Sequence, residues 1–484
     1  MRLRALGGLA VVLAICACGD SAAPPSPPPP PPPPPTPQQI GQWSLLRPAP
    51  IVQLHLHLLT TGKVLTWGHY GDPQIWDPST GAFTAVPSPV LVFCAGHDWL
   101  PDGRLLVAGG HISDVHGLAA TNVFDPRTET WQAVASMAAG RWYPTNTTLP
   151  NGEVLTLSGT DENAVTVPVP EIWNGSSWRQ LTTASLALPL YPRVFVAPDG
   201  RIFLAGEDQQ SRYLDVSGTG QWTDGPVRKY GKRDYGSAVM YEPGKILYVG
   251  GGDPPTNTAE VIDLNQPNPS WQWTGSMLYA RRQMDATLLP TGDVLVTGGT
   301  TSGGFSNPAG GVRRAEIWHP ATGVWNPVAS AAVTRIYHGA TLLLPDARVL
   351  FTGSGDAAGA KDEKNYEVYS PPYLFLGERP EITGSLPGKV LYGQTLTVGT
   401  RGGGVDTIAK VTLLRFSSVT HAFDQAARLV PLTFSPSGRS VTVTFPSGPT
   451  IAPPGPYMLF LVNAAGVPSA ARIVLLQNEA PEPS

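Results

Sequence analysis

DGRLLVAGG, residues 102–110, is a turn residue, a glycine, a short apolar run and a glycine pair. The pattern recurs as TGKVLTWG (61–68), NGEVLTLSG (151–159), DGRIFLAG (199–206), PGKILYVGG (243–251), TGDVLVTGG (291–299) and DARVLFTG (346–353). The turn positions Gly62, Gly103, Gly152, Gly200, Gly244, Gly292 and Ala347 are spaced by 41, 49, 48, 44, 48 and 55 residues. Each run is followed by a second one ending in a turn, as in EIWNGSSW (171–178) and EIWHPATGVW (316–325). An aromatic residue then opens another strand, at Phe83, Trp131, Trp178, Trp222, Trp273 and Trp325.

A period of roughly 40–50 residues built from short strands predicts four-stranded propeller blades of the kelch type. No helical pattern follows the glycine pairs, so they do not form a nucleotide-binding loop. The seventh unit runs into EVYSPPYLF (367–375) without its tryptophan strand, and GQWSLL (41–46) has that strand's character. The strand around Trp43 is therefore expected to complete the last blade, which would leave no sheet edge unpaired. Beyond Gly377 the repeat stops, and LTVGT, AKVTLLRF, RSVTVTF and YMLFLV alternate with period two. The expected fold is all-β: a seven-bladed propeller over 40–377, then an immunoglobulin-like β-sandwich over 378–478 and a tail at 479–484.

The first eighteen residues read as an export signal, with Arg2 and Arg4 before an apolar run too short to span a membrane comfortably. Ile15-Cys16-Ala17-Cys18 before Gly19 has the form of a bacterial lipoprotein cleavage box, with Cys18 lipidated; an ordinary cleaved signal is the alternative. Residues 19–39 contain the proline tract PPSPPPPPPPPPTP (24–37), a semi-rigid spacer of roughly 40 Å. The expected location is exported: a surface or periplasmic lipoprotein, or a secreted monomer. With net charge −4 and 14% charged residues, a nucleic-acid partner is not expected.

Cys94 has no partner cysteine outside the signal, which leaves an intermolecular disulfide, a reactive thiol or another covalent use. It lies in FCAGHDWLPDGRLLVAGG (93–110), at the start of the second unit's inner strand. Tyr143, in GRWYPTNTTLPNGEVLTLSG (140–159), holds the equivalent place in the third unit. Tyr337 and His338 stand there in the seventh, in TRIYHGATLLLPDARVLFTGSG (334–355). His421, in SSVTHAFDQAARLVPLTF (417–434), is expected in a turn of the sandwich and reaches the others only if that domain caps the channel. Two imidazoles and two phenols make a set suited to tetragonal Cu(II) rather than to a thiolate-rich zinc site. His55, His57, His97 and His111 are taken as structural or rim residues. Arg141, Trp142 and Arg335 flank the site in sequence without an assigned role.

IYHGATLLLPDARV, SVTHAFDQ and PGPYMLFLVNAAGVPS (454–469) form a specific series, and over 40–478 the chain resembles the copper radical oxidases, the galactose oxidase and glyoxal oxidase group. The resemblance implies a thioether between Cys94 and Tyr143 as a protein-derived radical cofactor. It implies Tyr143, His338 and His421 as equatorial copper ligands and Tyr337 as axial ligand and base. It also implies oxidation of a small aldehyde (as its hydrated diol), a primary alcohol or a carbohydrate by O₂, with release of H₂O₂. One departure stands out: where galactose oxidase stacks a tryptophan on the thioether, the ungapped position here is Asp161. A neighbouring residue must then shield the radical, or shielding differs. Two other readings are a non-catalytic propeller binding glycan or protein, and a glycosidase using paired acids among Asp98, Asp161 and Asp356.

Overall fold

The computed structural model describes residues 33–357, 360–404 and 407–478; the signal segment with Cys18, most of the proline tract and the tail lie outside them. Its elements are almost entirely strands. Between His55 and Ser370 the chain builds consecutive antiparallel sheets, each a meander with strands in sequence order. The second, for example, runs Gly96–Trp99, Leu105–Ala108, Thr121–Asp125 and Thr130–Val134. Its first strand is wholly buried while its last is mostly exposed, so the first strands mark the centre of the assembly and the last its rim. The turn joining the first two strands requires a left-handed residue, and Ala347 takes φ 68° where the other units use glycine.

The N-terminal strand behaves as its tryptophan predicts. Gln42–Trp43 pairs with Asn365–Ser370, which carries the sheet containing Gly339–Leu343 and Val349–Gly353. A side-chain rule runs through these outer strands: the indole Nε1 donates to a carbonyl of the preceding sheet's outer edge. Trp131 reaches Val86, Trp178 Ala135, Trp222 Ala184 and Trp325 Gly275, all at 2.7–2.9 Å. Trp43 does the same to Ala329 at 2.9 Å, so the chain start fills the equivalent place. The fifth unit departs from the expected register. Trp271, just before the short outer strand Gln272–Trp273, is buried there, and Trp273 within the strand is 50% exposed.

Buried ion pairs tie inner strands to third strands. Arg141–Glu171, Arg233–Glu260 and Arg281–Glu316 have side chains with essentially no exposure. Each arginine also donates from its terminal nitrogens to backbone carbonyls. Arg335 uses Gly353 O and Asn365 Oδ1 in the same manner. Arg141 and Arg335 are thus braces between strands.

After Pro380 two further sheets pack on a core that includes Val398, Leu413, Val441, Val443, Leu459 and Val474. One segment of this region leaves it. Ser418–Thr420 pairs with His55–Leu58 of the first sheet, Leu56 opposite Val419, and turns back through Phe423–Asp424. Residue 421 is the turn of that hairpin.

Candidate copper centre

Counting nine residues back from each turn position gives Gln53, Cys94, Tyr143, Tyr191, Tyr235, Gln283 and His338. Six of them share a left-handed backbone: φ is 61° at Cys94, 63° at Tyr143, 48° at Tyr191, 51° at Tyr235, 58° at Gln283 and 64° at His338. Bulky residues rarely adopt this conformation, and its recurrence marks a built feature. Backbone bonds link the positions across sheets: Tyr143 N–H donates to Cys94 O, Tyr191 N–H to Tyr143 O and Gln283 N–H to Tyr235 O, at 2.8–3.0 Å. The counterpart of Tyr143 in the seventh sheet is accordingly His338, and Tyr337 stands one residue before it.

The five residues singled out from the sequence come together. Cys94 is a free, fully buried thiol packed in one cluster with Tyr143 and Trp142. Gly96, two residues on, permits the approach of the third sheet: a Cβ there would meet Asn146 Oδ1 at 2.6 Å and Pro144 O at 2.8 Å. The phenol oxygens of Tyr143 and Tyr337 are in direct contact. The rings of His338 and His421 lie 4.7 Å apart at 88°, and Tyr143 lies 4.3 Å from His421. His421 arrives because the 418–424 hairpin joins the first sheet.

Each imidazole has one nitrogen occupied. His338 Nδ1 donates to Gly355 O at 2.6 Å, and His421 Nδ1 meets Thr420 Oγ1 at 2.5 Å. Both Nε2 atoms are buried without a partner. Burial holds His338 down at about 3 and His421 well below the usual histidine range, so both rings are neutral. The Gly355 carbonyl fixes the His338 proton on Nδ1 and frees its Nε2 lone pair; the Thr420 hydroxyl can accept from His421 Nδ1 and allow the same tautomer there. Burial pushes the Cys94 thiol and the Tyr143 and Tyr337 phenols up. Among the described residues no three His, Cys, Asp or Glu side chains gather as metal donors, so a metal at this place would need the phenols as well. The donor set fits Cu(II), whose charge would reverse the pressure on the phenols and favour phenolate.

Three further aromatic residues belong to the site. Trp142 stacks on Tyr143, and its Nε1 donates to His111 Nδ1 at 3.0 Å. Asp161 is a turn residue whose Oδ1 accepts from Asn163 and Val165 N–H at 2.8 and 2.9 Å. The stack that Asp161 cannot supply is thus made by Trp142. Tyr191 stacks on Tyr143 at 4.6 Å and donates to Ala95 O. Tyr235, pushed up to about 12 chiefly by burial, meets the Tyr337 ring edge-on with centroids 5.7 Å apart. The nine-residue spacing would have found both tyrosines. A cavity of about 240 Å³ opens over Tyr143 and His421, lined by Tyr191, Tyr235, Arg193, Glu207, Lys232 and Asp234.

The acids of the glycosidase reading are otherwise engaged. Asp98 holds Arg415 and the Thr148 N–H, Asp161 closes its own turn, and Asp356 accepts from His69 N–H.

Residues 379–476 match the family model described as galactose oxidase-like, Early set domain, and residues 251–373 match glyoxal oxidase N-terminus. An aldehyde oxidase GLOX of Vitis pseudoreticulata is 30% identical, over 86% of this chain and 87% of its own. The chain belongs to the galactose oxidase and glyoxal oxidase family of copper radical oxidases. A galactose oxidase of Gibberella zeae is 29% identical over 90% of this chain and 70% of its own. A fungal alcohol oxidase solved in complex with copper superposes with a TM-score of 0.83, at 25% identity, covering 91% of this chain and all of that one. The protein is a copper-dependent oxidoreductase with an all-β, galactose oxidase-like fold.

Proposed function

We propose that Tyr143, Tyr337, His338 and His421 hold one Cu(II) and that Cys94 is joined to Tyr143 by a thioether. The enzyme then oxidises a primary alcohol, RCH₂OH + O₂ → RCHO + H₂O₂, or a hydrated aldehyde, RCH(OH)₂ + O₂ → RCOOH + H₂O₂. The observation that carries this reading is the meeting of two partnerless Nε2 atoms and two phenols beside a free thiol.

When bound, copper supplies a one-electron acceptor and polarises the substrate oxygen. The chain does the rest. Tyr143 supplies the second oxidising equivalent, and sulfur from Cys94 lowers its potential and spreads the unpaired spin. Tyr337 takes the substrate hydroxyl proton, with the Tyr235 ring packed edge-on against it. Trp142 covers the Tyr143 ring and keeps water from it. The cavity wall, with Arg193, Lys232, Glu207 and Asp234, offers both donors and acceptors to a polar, hydroxylated substrate.

The seven sheets within 40–377 are read as blades of a closed kelch propeller and 378–478 as an immunoglobulin-like sandwich. The indole staples, with Trp43 as the last, support that closure. Residues 1–18 favour export, with Cys18 as a lipid attachment point and the proline tract as spacer.

Copper-free protein loaded with Cu(II) in air, followed by intact mass and peroxide release on alcohols, aldehydes and sugars, tests the reading. Loss of two hydrogens, abolished in Cys94→Ser, and peroxide on at least one class are expected. Copper binding with neither result overturns it.

A further inference from the structure

His55 and His97 lie outside the donor set, yet both are fully buried beside it. They form a directed chain. The Cys94 backbone N–H donates to His55 Nε2 at 3.2 Å. Because that nitrogen accepts, the proton of neutral His55 sits on Nδ1, which meets His97 Nε2 at 2.9 Å. His97 then carries its proton on Nδ1, 2.5 Å from Ser418 Oγ. The Ser418 hydroxyl donates in turn to the His97 carbonyl at 2.9 Å. One pair of tautomers satisfies every link, and burial holds both rings neutral, His97 at about 3.

The ends of the chain are what matter. It starts at the left-handed Cys94 backbone and finishes on Ser418–Thr420, the strand that leads into His421. His57 offers an internal control. It stacks on Trp67 at 4.6 Å, as His55 does at 4.8 Å, and is equally buried, but it forms no link of the chain.

We propose that His55 and His97 are positioning residues for cofactor formation, holding the Cys94 backbone so that its thiol stays at the Tyr143 ring while the thioether forms. The inference rests on the reading under Proposed function. The step balances as RSH + ArH + O₂ → RSAr + H₂O₂: S–H and ring C–H break, C–S forms, and O₂ takes two electrons and two protons. Without the His55 acceptor, the Cys94 N–H is orphaned in a buried, left-handed turn, and the backbone relaxes toward the ordinary region. A misplacement on the order of 1 Å costs about 10²-fold in rate.

Full-chain protein at saturating Cu(II) in air, followed by intact mass against time, reads the step directly. Wild type and His57→Phe are expected to lose two hydrogens at the same rate, and His55→Phe and His97→Phe at least tenfold more slowly. His55→Gln, whose Oε1 can accept from the Cys94 N–H, is expected to regain most of the rate. Wild-type rates in folded His55→Phe or His97→Phe overturn the proposal, as does equal slowing in His57→Phe, which would mark packing alone. Should His55→Phe fail to fold, His97→Phe against His57→Phe decides the matter. If wild-type protein keeps both hydrogens, the thioether reading itself fails.

Discussion

The indole of Trp142 lies flat on the phenol ring of Tyr143, with centroids 3.6 Å apart and planes 11° from parallel. Consecutive residues in a strand point to opposite faces, so this contact is not one that a strand allows. It exists because Tyr143 has φ 63°, which turns the chain back on itself at that residue.

Trp142→Leu tests the stack. Aromatic pairs contribute about 0.5–1.5 kcal/mol beyond area burial, so the lifetime of the oxidised Tyr143, followed by its electron paramagnetic resonance or optical signal, should fall roughly two- to tenfold. Copper affinity should not change. An unaltered lifetime would remove Trp142 from the proposed shield.

Tyr337→Phe removes the proposed base and leaves the two imidazoles and Tyr143. Peroxide release should drop by about 10²–10⁴-fold, the usual range for a lost general base, while copper remains bound in equilibrium dialysis. Wild-type turnover would place the base elsewhere.

Thr420→Val removes the partner of His421 Nδ1 with little change of volume. Partners of ligating imidazoles are worth about 10–100-fold in metal affinity, and chelator competition should show a loss of that size. His421→Ala should weaken copper binding further. Unchanged affinity in His421→Ala would break the link between the C-terminal region and the metal.

Acid should destabilise the metal-free protein. His55, His57, His97, His338 and His421 are all held below the ordinary histidine range by burial, His97 and His338 at about 3. The unfolded chain binds those protons first, so the stability is present above about pH 6.5 and is lost as pH falls toward 3. Asp285, raised to about 8, and Asp424, to about 6, act with the opposite sign, since the folded state keeps their protons as pH rises. Glu207, Asp356 and Glu367 are raised as well, from less complete burial, and His111 is lowered with the five; the deeply buried imidazoles outweigh these carboxyls between about pH 4 and 6.5. The calorimetric melting temperature should therefore climb across that window and ease downward toward pH 8; a flat profile would contradict the burial of these rings.

Arg281→Met should be costly. It leaves Glu316 buried without its cation, and breaking such a pair costs about 3–5 kcal/mol, readable in a denaturant midpoint. Arg281→Met with Glu316→Gln should recover much of the loss.

Much of the fold could be read from the turn glycines and the runs behind them, because the turn geometry and the strand period impose those residues directly. The five residues that meet at the centre could equally be read, since each stands in a motif of its own. What escaped is what left-handed residues and strand starts control. Tyr191 and Tyr235 have no motif of their own and share only the nine-residue distance to a turn. The choice between Trp271 and Trp273 depends on where a strand begins, which alternation alone does not fix. His421 belongs to the C-terminal region by sequence but to the first sheet by pairing, and Ser418–Thr420 carries no local sign of that exchange.

The collar of six left-handed residues carries a consequence for engineering. Its backbone is already shaped and cross-linked by amides, so the side chains borne there are released from strand pairing and from alternation. Gln283 is a station of that collar whose side-chain amide is buried without a hydrogen-bond partner. Replacing it with histidine or glutamate would add a donor at a known bearing beside the proposed centre, and this scaffold could acquire different redox chemistry while its strands stay as they are.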